Sequence, residues 1–233
     1  MSINKAQTGF RSLTYRSGAV YNWCLQNLFD QRKKFAIIAN IIGKNQLVLD
    51  LPCGTGYLAR YLHPSNEYFG IDLNHRFLKR VKKDWRRGRI SVKKVILQQS
   101  NIFNYDDYLN GDIDTIVLCD ILHHVIPKHI ELVETAKKHA RKVIICEPIA
   151  VKPHDVYART WFFRLWTKFG KLLPEKLFKF FDKLFLDNDG LNSYKRRSLW
   201  EHTRESLKKF YESLEFNIIY NLSDGLIGVW HGR

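Results

Sequence analysis

The chain has 233 residues, of which 45% are hydrophobic and 14% aromatic, so it is long enough for one large domain with a sizeable core. This composition excludes intrinsic disorder, and no window of about 18 uncharged apolar residues predicts a membrane-spanning helix. The N-terminus lacks the apolar stretch of a signal peptide. We therefore expect a cytoplasmic protein that is soluble or peripheral to a membrane.

The formal net charge of +15 indicates an anionic partner, such as nucleic acid or a phospholipid surface. Most of this charge lies in three segments. Residues 76–94 carry ten Lys or Arg against one acid, residues 159–186 carry seven against two, and residues 191–210 carry six against two. The positive charge thus belongs to particular segments of the chain. It predicts that the protein docks on an anionic partner, or that its substrate is attached to one.

The four cysteines are widely spaced and form no CxxC pair. This spacing predicts neither a zinc site nor a disulfide framework, and it fits a reduced, cytoplasmic setting. We expect no bound metal.

Residues 18–42 have apolar side chains at mixed spacings of three and four, which predicts one or two helices that end at Gly43. Short apolar runs then alternate with amphipathic stretches, a pattern typical of a doubly wound, mainly parallel sheet of the Rossmann-like α/β class. The runs lie at 47–49, 68–71, 95–97, 113–118 and 143–145, and the amphipathic stretches at 74–87, 104–110 and 127–140. Residues 216–230, with Asp224-Gly225 at the turn, predict a C-terminal antiparallel hairpin that brings the sheet to seven strands.

These patterns divide the chain into three parts. Residues 1–44 form an N-terminal helical segment over the active site, residues 45–149 and 213–233 form the sheet domain, and residues 150–212 form an inserted helical cap. The cap sequence has two aromatic stripes, with Trp161 and Trp166 on the first, flanked by lysines. This composition fits a helix in a membrane interface or over a bulky apolar substrate, and equally an amphipathic cap packed on the sheet.

Polar residues follow most of the predicted strands, at the carboxyl edge where such sheets bind ligands. They are Asp50, Asp72, Asn101, Asp120 and Glu147. The turn Gly54-Thr55-Gly56 after the first strand lets the backbone approach a ligand closely, but it lacks the spacing of a dinucleotide site or a P-loop. Asp72 stands 22 residues after Asp50, where a carboxylate can accept both hydroxyls of a ribose. The arrangement predicts a site for a nucleoside.

Four motifs in order resemble those of class I S-adenosylmethionine-dependent methyltransferases: VLDLPCGTG at 48–56, YFGIDLN at 68–74, QQSNIF at 98–103 and DTIVLCDILHHV at 114–125. The resemblance covers roughly residues 45–150, and the hairpin matches the last two strands of that family. It implies the methyltransferase fold, S-adenosylmethionine as cofactor and a methyl-transfer reaction.

By this resemblance, each part of the cofactor has its own set of residues. The methionine part is held by Asp50 and the turn of Pro52, Cys53, Gly54, Thr55 and Gly56, the ribose by Asp72, and the adenine by Leu73, Asn101 and Ile102. Cys119 and Asp120 form the floor under the sulfonium. Two positions depart from the family pattern: Pro52 replaces a common glycine, and Asn101 replaces a common aspartate, although an amide still hydrogen-bonds an adenine amino group.

His123 and His124 follow the fourth strand and are candidates for a general base if the acceptor is a hydroxyl. A role in packing or in the shape of the site fits them as well, since adjacent residues on a turn point in different directions. Tyr15 and Tyr21 in the N-terminal segment are candidates for contacts with cofactor or substrate, and ordinary packing explains them equally.

We therefore expect a methyltransferase whose acceptor is a lipid-like or bulky apolar small molecule at an anionic membrane surface. The first alternative is a tRNA or rRNA methyltransferase that uses the basic segments. The exocyclic-amine DNA and RNA methyltransferases are disfavoured, because no Asn-Pro-Pro-Tyr or Asp-Pro-Pro-Tyr motif follows the fourth strand. DNA is therefore disfavoured as a partner, whereas RNA stays open. A non-catalytic binding protein with the same fold is the third hypothesis.

Overall fold

A computed structural model describes residues 13–27, 31–108, 111–149 and 199–232, and all secondary structure below lies in these ranges. The strands are β1 Leu47–Asp50, β2 Glu67–Ile71, β3 Lys94–Gln98, β4 Ile113–Cys119, β5 Ala140–Pro148, β6 Ile218–Asn221 and β7 Gly225–His231. The helices are α1 Leu13–Arg16, α2 Gly18–Asn27, α3 Gln31–Ile42, α4 His75–Arg86, α5 His129–His139 and α6 Arg204–Ser213. Short 3₁₀ turns cover Leu58–Arg60, Tyr105–Asp107 and Leu122–His124.

The seven strands form one sheet in the order β3-β2-β1-β4-β5-β7-β6. Strands β1 to β5 are parallel, whereas β7 is antiparallel to both β5 and β6. This confirms the doubly wound, mainly parallel sheet with a C-terminal hairpin. The strand order reverses between β1 and β4, which is the point where sheets of this kind bind their ligands.

The sheet separates two hydrophobic clusters because alternate side chains of a strand point to opposite faces. In β4, Ile116 packs in one cluster and Val117 in the other. Helices α3 and α4 cover the face of Val117, and α5 and α6 cover the face of Ile116. The apolar runs therefore fold as strands that are buried on both faces, as the sequence indicates.

Two boundaries differ from the sequence prediction. Residues 199–212, assigned to the cap, contribute to the core instead, because Trp200, Leu207 and Tyr211 are almost completely buried against the sheet. The described part of the stretch 104–110, residues 104–108, forms a 3₁₀ turn at Tyr105–Asp107 rather than a helix.

The rest of the predicted cap, with Trp161 and Trp166, lies outside the described residues. In the described ranges, no helix has the length and apolarity that crossing a membrane requires.

A buried carboxylate connects α4 to its surroundings. Asp84, fully buried, accepts hydrogen bonds from Arg60 at 2.6 Å, from Arg80 at 3.0 Å and from Arg89 at 3.4 Å. The three arginines come from the 3₁₀ turn after β1, from α4 itself and from the loop that follows α4. The one acid of residues 76–94 is thus paired with Arg80 and Arg89 of the same segment and with Arg60.

We expect Asp84→Ala to lower the free energy of unfolding by about 3 kcal/mol, because it leaves the arginine side chains without their shared buried partner. Urea denaturation measures this change. The matched control is Glu131→Ala, which removes an exposed ion pair with Lys128 at 3.7 Å and should cost less than about 0.5 kcal/mol. Equal losses in the two variants would contradict a structural role for the Asp84 cluster.

Candidate functional site

The glycine turn after β1 is fixed between the two neighbouring strands. The Leu51 N–H donates to the Val117 carbonyl at 2.9 Å, and the Cys53 N–H donates to the Ile71 carbonyl at 2.8 Å. The backbone then takes positive φ angles at Gly54 (52°) and Gly56 (67°), which glycine adopts readily. The turn is therefore held at the carboxyl ends of β1, β2 and β4.

Asp72 lies where this turn meets the start of α4. One carboxylate oxygen accepts the Gly54 N–H at 2.9 Å, and the other accepts the Asn74 N–H at 2.7 Å. The side chain is buried, and burial raises its pKa to about 7 although both hydrogen bonds favour the charged form. A ligand that donates hydroxyl groups to this carboxylate stabilises its ionised state.

Asp50 lies at the end of β1 and is also buried. It accepts a hydrogen bond from the Tyr68 hydroxyl at 2.7 Å. Burial raises the pKa of Asp50 to about 7, the Tyr68 hydrogen bond opposes this, and the charge of Asp72 adds to the rise. The structure thus brings together the two acids that the sequence picked out by their spacing.

The N-terminal segment packs on the glycine turn through Asn22 and Tyr21. The Thr55 hydroxyl donates to the side-chain oxygen of Asn22, and a ring carbon of Tyr21 lies 3.9 Å from the position that a Cβ would occupy at Gly54. The Asn22 side-chain nitrogen is buried and has no hydrogen-bond partner among the described residues. No sequence pattern singled out Asn22, because its hydrogen-bond partner Thr55 stands 33 positions away.

Tyr15 joins the same contact region. Asn74 caps α4 by accepting the Arg76 N–H at 3.1 Å, and its amide nitrogen donates to the Tyr15 carbonyl at 2.7 Å. The rings of Tyr15, Tyr21 and Phe77 have centroids 4.8–5.8 Å apart. Tyr21 therefore lies beside the glycine turn, and Tyr15 packs with it against Phe77 near the start of α4. Their contacts with cofactor or substrate stay a prediction.

The residues assigned to adenine follow β2 and β3, which are neighbours in the sheet. The Leu73 carbonyl accepts a hydrogen bond from the Gln99 side chain at 3.0 Å, and the Asn101 side-chain oxygen accepts the Phe103 N–H at 3.0 Å. The Ile102 side chain is buried in the core. The structure thus positions Leu73 and Asn101 by local hydrogen bonds.

At the end of β4, Asp120 has a positive φ of 52° and forms an ion pair with Lys34 of α3 at 2.5 Å. Burial lowers the pKa of Lys34, but the charge of Asp120, the neighbouring Cys119 and Cys146 and the hydrogen bond to Asp120 together outweigh burial, so the pKa lies well above the usual value. Cys119 contacts Cys146 across the sheet, and this contact together with burial raises the pKa of the Cys119 thiol. The sequence missed Lys34, which brings a buried positive charge to this part of the site.

Glu147, at the end of β5, organises the loop that carries the two histidines. One of its oxygens accepts the N–H groups of Ile121 at 2.7 Å and Leu122 at 2.8 Å. The other lies 2.7 Å from His123 Nδ1. Because the carboxylate requires a donor there, the neutral His123 ring carries its proton on Nδ1 and has Nε2 as its acceptor nitrogen.

His124 packs against His123, with ring centroids 4.3 Å apart, and both side chains are buried. The Trp200 indole donates to the Pro148 carbonyl at 2.8 Å and lies 6.3 Å from the His123 ring. The Tyr211 hydroxyl accepts the Glu147 N–H at 3.0 Å. Aromatic residues from the C-terminal part of the chain thus hold the acid and the histidine loop in place.

Comparisons with known proteins agree with this geometry. Residues 49–142 match a protein family described as a methyltransferase domain. The glycine turn and the strand-end residues Asp50, Asp72, Asn101 and Asp120 lie in the matched range, and Glu147 follows it. The matched residues are consistent with a class I S-adenosylmethionine-dependent methyltransferase domain. The cofactor of this family is S-adenosylmethionine.

Solved methyltransferase structures share the fold of the chain. Magnesium protoporphyrin IX methyltransferase from Synechocystis PCC 6803 with bound S-adenosylhomocysteine is 16% identical over 85% of this chain and 80% of that chain, with a TM-score of 0.52. The N-terminal domain of EvdMO1, with S-adenosylhomocysteine and D-fucose, is 15% identical over 88% and 83%, with a TM-score of 0.53. Small RNA methyltransferase HEN1 is 17% identical over 87% of this chain and 25% of that chain, with a TM-score of 0.57. No curated protein matches the sequence.

The residues around the glycine turn fit S-adenosylmethionine. The buried Asn22 amide nitrogen beside the glycine turn suits an anionic group of a ligand, and the Asp72 carboxylate suits a group that donates hydrogen bonds. In the described part of the chain, no cluster of three or more His, Cys, Asp or Glu side chains has the geometry of a metal site.

Replacing Gly56 by alanine should disturb the turn through a steric contact as well as through backbone strain. A Cβ at Gly56 would lie 2.9 Å from both γ-carbons of Val81. Gly88 is a matched control, because it has a nearly identical φ of 68° and no atom within 4 Å of its Cβ position. We expect Gly88→Ala to cost about 1 kcal/mol and Gly56→Ala at least about 1 kcal/mol more in urea denaturation. Equal costs would contradict the close approach of the turn to α4.

Cofactor affinity should depend on pH through Asp72. The carboxylate that accepts ribose hydroxyls must be ionised, and its pKa in the free protein is raised to about 7. We expect the affinity for S-adenosylhomocysteine to fall about tenfold per pH unit below this value and to level off above it. Calorimetry between pH 5.5 and 8.5 measures the profile, and Asp72→Asn should flatten it. An unchanged affinity across this range would contradict the assignment.

Proposed function

We propose that the protein transfers a methyl group from S-adenosylmethionine to a lipid-like or bulky apolar small molecule. The cofactor part of this proposal is carried by one observation: the Asp72 carboxylate is buried at the junction of the glycine turn and α4 and is bound there by two backbone N–H groups. A carboxylate held in this way presents its remaining lone pairs to a ligand at the strand ends.

In this proposal, each part of the cofactor contacts its own residues. Asp72 accepts the ribose hydroxyls, and the side-chain nitrogen of Asn22 donates to the methionine carboxylate. The methionine part is enclosed by Asp50 and by the turn of Pro52, Cys53, Gly54, Thr55 and Gly56. The adenine is enclosed by Leu73, Asn101 and Ile102. The floor of the site is formed by Cys119 and Asp120. When bound, S-adenosylmethionine supplies an electrophilic methyl group on a sulfonium.

The protein's contribution to methyl transfer is then to position the acceptor and to receive its proton. His123 and His124 lie on the loop after β4, and the 2.7 Å contact with Glu147 fixes the tautomer of His123. We assign the base to this pair, with His124 nearest the acceptor and His123 as its packed neighbour 4.3 Å away. Lys34 holds Asp120 and keeps its carboxylate from acting as a second base.

The acceptor class rests on the sequence of the cap. Its two aromatic stripes, including Trp161 and Trp166, follow the fifth strand in the sequence and are rich in large apolar side chains. Tyr15 and Tyr21 add aromatic surface at the glycine turn, where they are candidate substrate contacts. An apolar acceptor of substantial size fits these side chains better than a small polar one.

A second candidate function is methylation of tRNA or rRNA. It is favoured by the row of exposed basic side chains on α4, and the similar structure of HEN1 is that of a small RNA methyltransferase. Phosphate contacts by such a surface would be strongly salt-dependent.

The cofactor assignment is tested by calorimetry with S-adenosylhomocysteine. We expect Asp72→Ala to weaken binding about 100-fold, because the ribose loses two charge-assisted hydrogen bonds. Asp112→Ala, an exposed aspartate before β4, is the matched control and should bind like the wild type. If the wild type fails to bind, the protein is a non-catalytic relative of the fold; if both variants bind equally well, the ribose assignment is wrong.

The acceptor is tested separately with methyl-labelled S-adenosylmethionine and with lipid and RNA fractions offered in parallel. We expect label in the lipid fraction, and its loss in His124→Ala when the acceptor atom is a hydroxyl. Label in RNA alone would overturn the lipid-like acceptor and support the second candidate function.

A further inference from the structure

We propose that the outward faces of α2 and α4 form a docking surface for an anionic lipid bilayer. This docking surface consists of Val20 and Trp23 on α2 and of Arg76, Lys79, Lys83 and Arg86 on α4. The docking surface rests on the proposed function, because it explains how the enzyme reaches a lipid-like acceptor. Docking itself is measured without any methyl transfer, so the two are tested separately.

The charge of the docking surface is not compensated locally. In residues 76–94, nine of the ten basic side chains are exposed, and the one acid, Asp84, is fully buried and bound by three arginines. On the exposed side of α4, the basic side chains thus face solvent with no acid of their own segment beside them. Several lysines and arginines on one helix face are the pattern that attracts anionic headgroups.

The charged residues form one continuous stripe. Lys79 and Lys83 are four residues apart and Arg86 follows three residues later, so all three project from the same side of the helix. A helix of 12 residues is about 18 Å long. Since α4 starts directly after Asp72 and Asn74, the stripe begins beside the candidate cofactor site and runs away from it.

Helix α2, which packs on α4, carries exposed apolar side chains. Val20 is 40% exposed and Trp23 is 57% exposed, whereas Asn22 between them is buried. Helix α2 packs closely on α4, because a Cβ at Gly18 would lie 3.1 Å from the Cβ of Arg80. Exposed Trp and aliphatic side chains flanked by cations are typical of a surface that enters the interface of a bilayer.

These features favour a bilayer over RNA. Helix α4 contains no Asn, Gln, Ser or Thr, so the side chains that commonly read adenine are absent from it. Its lysines and arginines offer positive charge, which attracts the phosphates of RNA and of lipid headgroups alike. The exposed Val20 adds an aliphatic contact that acyl chains satisfy and that a stacked base does not require.

The test is co-sedimentation with phosphatidylcholine vesicles with and without phosphatidylglycerol. We expect the wild type to bind the vesicles that contain phosphatidylglycerol and not the neutral ones. The triple variant Lys79→Glu, Lys83→Glu, Arg86→Glu should reduce the partition coefficient on the order of 100-fold. Trp23→Ala should reduce it several-fold even at high salt, because the apolar contact is not screened.

The matched control is a second triple variant, Lys138→Glu, Lys208→Glu, Lys209→Glu. These lysines lie on α5 and α6, so the control changes the net charge by the same amount on the opposite face of the sheet. It should retain binding within about threefold. No binding of the wild type to phosphatidylglycerol vesicles, equal losses in both triple variants, or binding to single-stranded RNA in place of vesicles would each overturn the proposal. Both triple variants should keep the wild-type affinity for S-adenosylhomocysteine, so a failure of docking is distinguishable from a failure of the methyltransferase assignment.

Discussion

The cofactor side of the structure depends on one interaction, the Asp72 carboxylate with the N–H groups of Gly54 and Asn74. It joins the turn after β1, the end of β2 and the first residue of α4, and Asn74 extends the connection to the Tyr15 backbone. Burial disfavours the ionised form of Asp72 and raises its pKa to about 7. A ligand with hydroxyl donors relieves that cost, so the same carboxylate that fixes the turn also creates affinity for a nucleoside.

At the ends of β4 and β5, Glu147 has the role that Asp72 has at the ends of β1 and β2. It fixes the loop after β4 through two backbone N–H groups and orients His123, while Tyr211 and Trp200 hold it from the C-terminal part of the chain. In the proposed function, the cofactor and acceptor sides are thus each organised by one buried carboxylate at a strand end. The excess positive charge of residues 76–94 lies on the exposed side of α4 and on the residues that follow it.

Features that depend on local patterning could be predicted from the sequence, whereas long-range pairings could not. Alternating apolar runs gave the sheet, and the 22-residue interval from Asp50 identified Asp72. Lys34 and Asn22 were missed because a helical sequence does not reveal that its polar side chain reaches a partner 86 or 33 positions away. Trp200 was assigned to the cap because aromatic residues in a basic segment look the same in a cap and in a core.

The most direct test of this account is a crystal structure of the complex with S-adenosylhomocysteine. The account predicts that both ribose hydroxyls lie within hydrogen-bond distance of the Asp72 carboxylate, with the Asn22 amide at the carboxylate of the homocysteine part. A ribose bound away from Asp72, or a ligand outside the carboxyl ends of β1, β2 and β4, would contradict it.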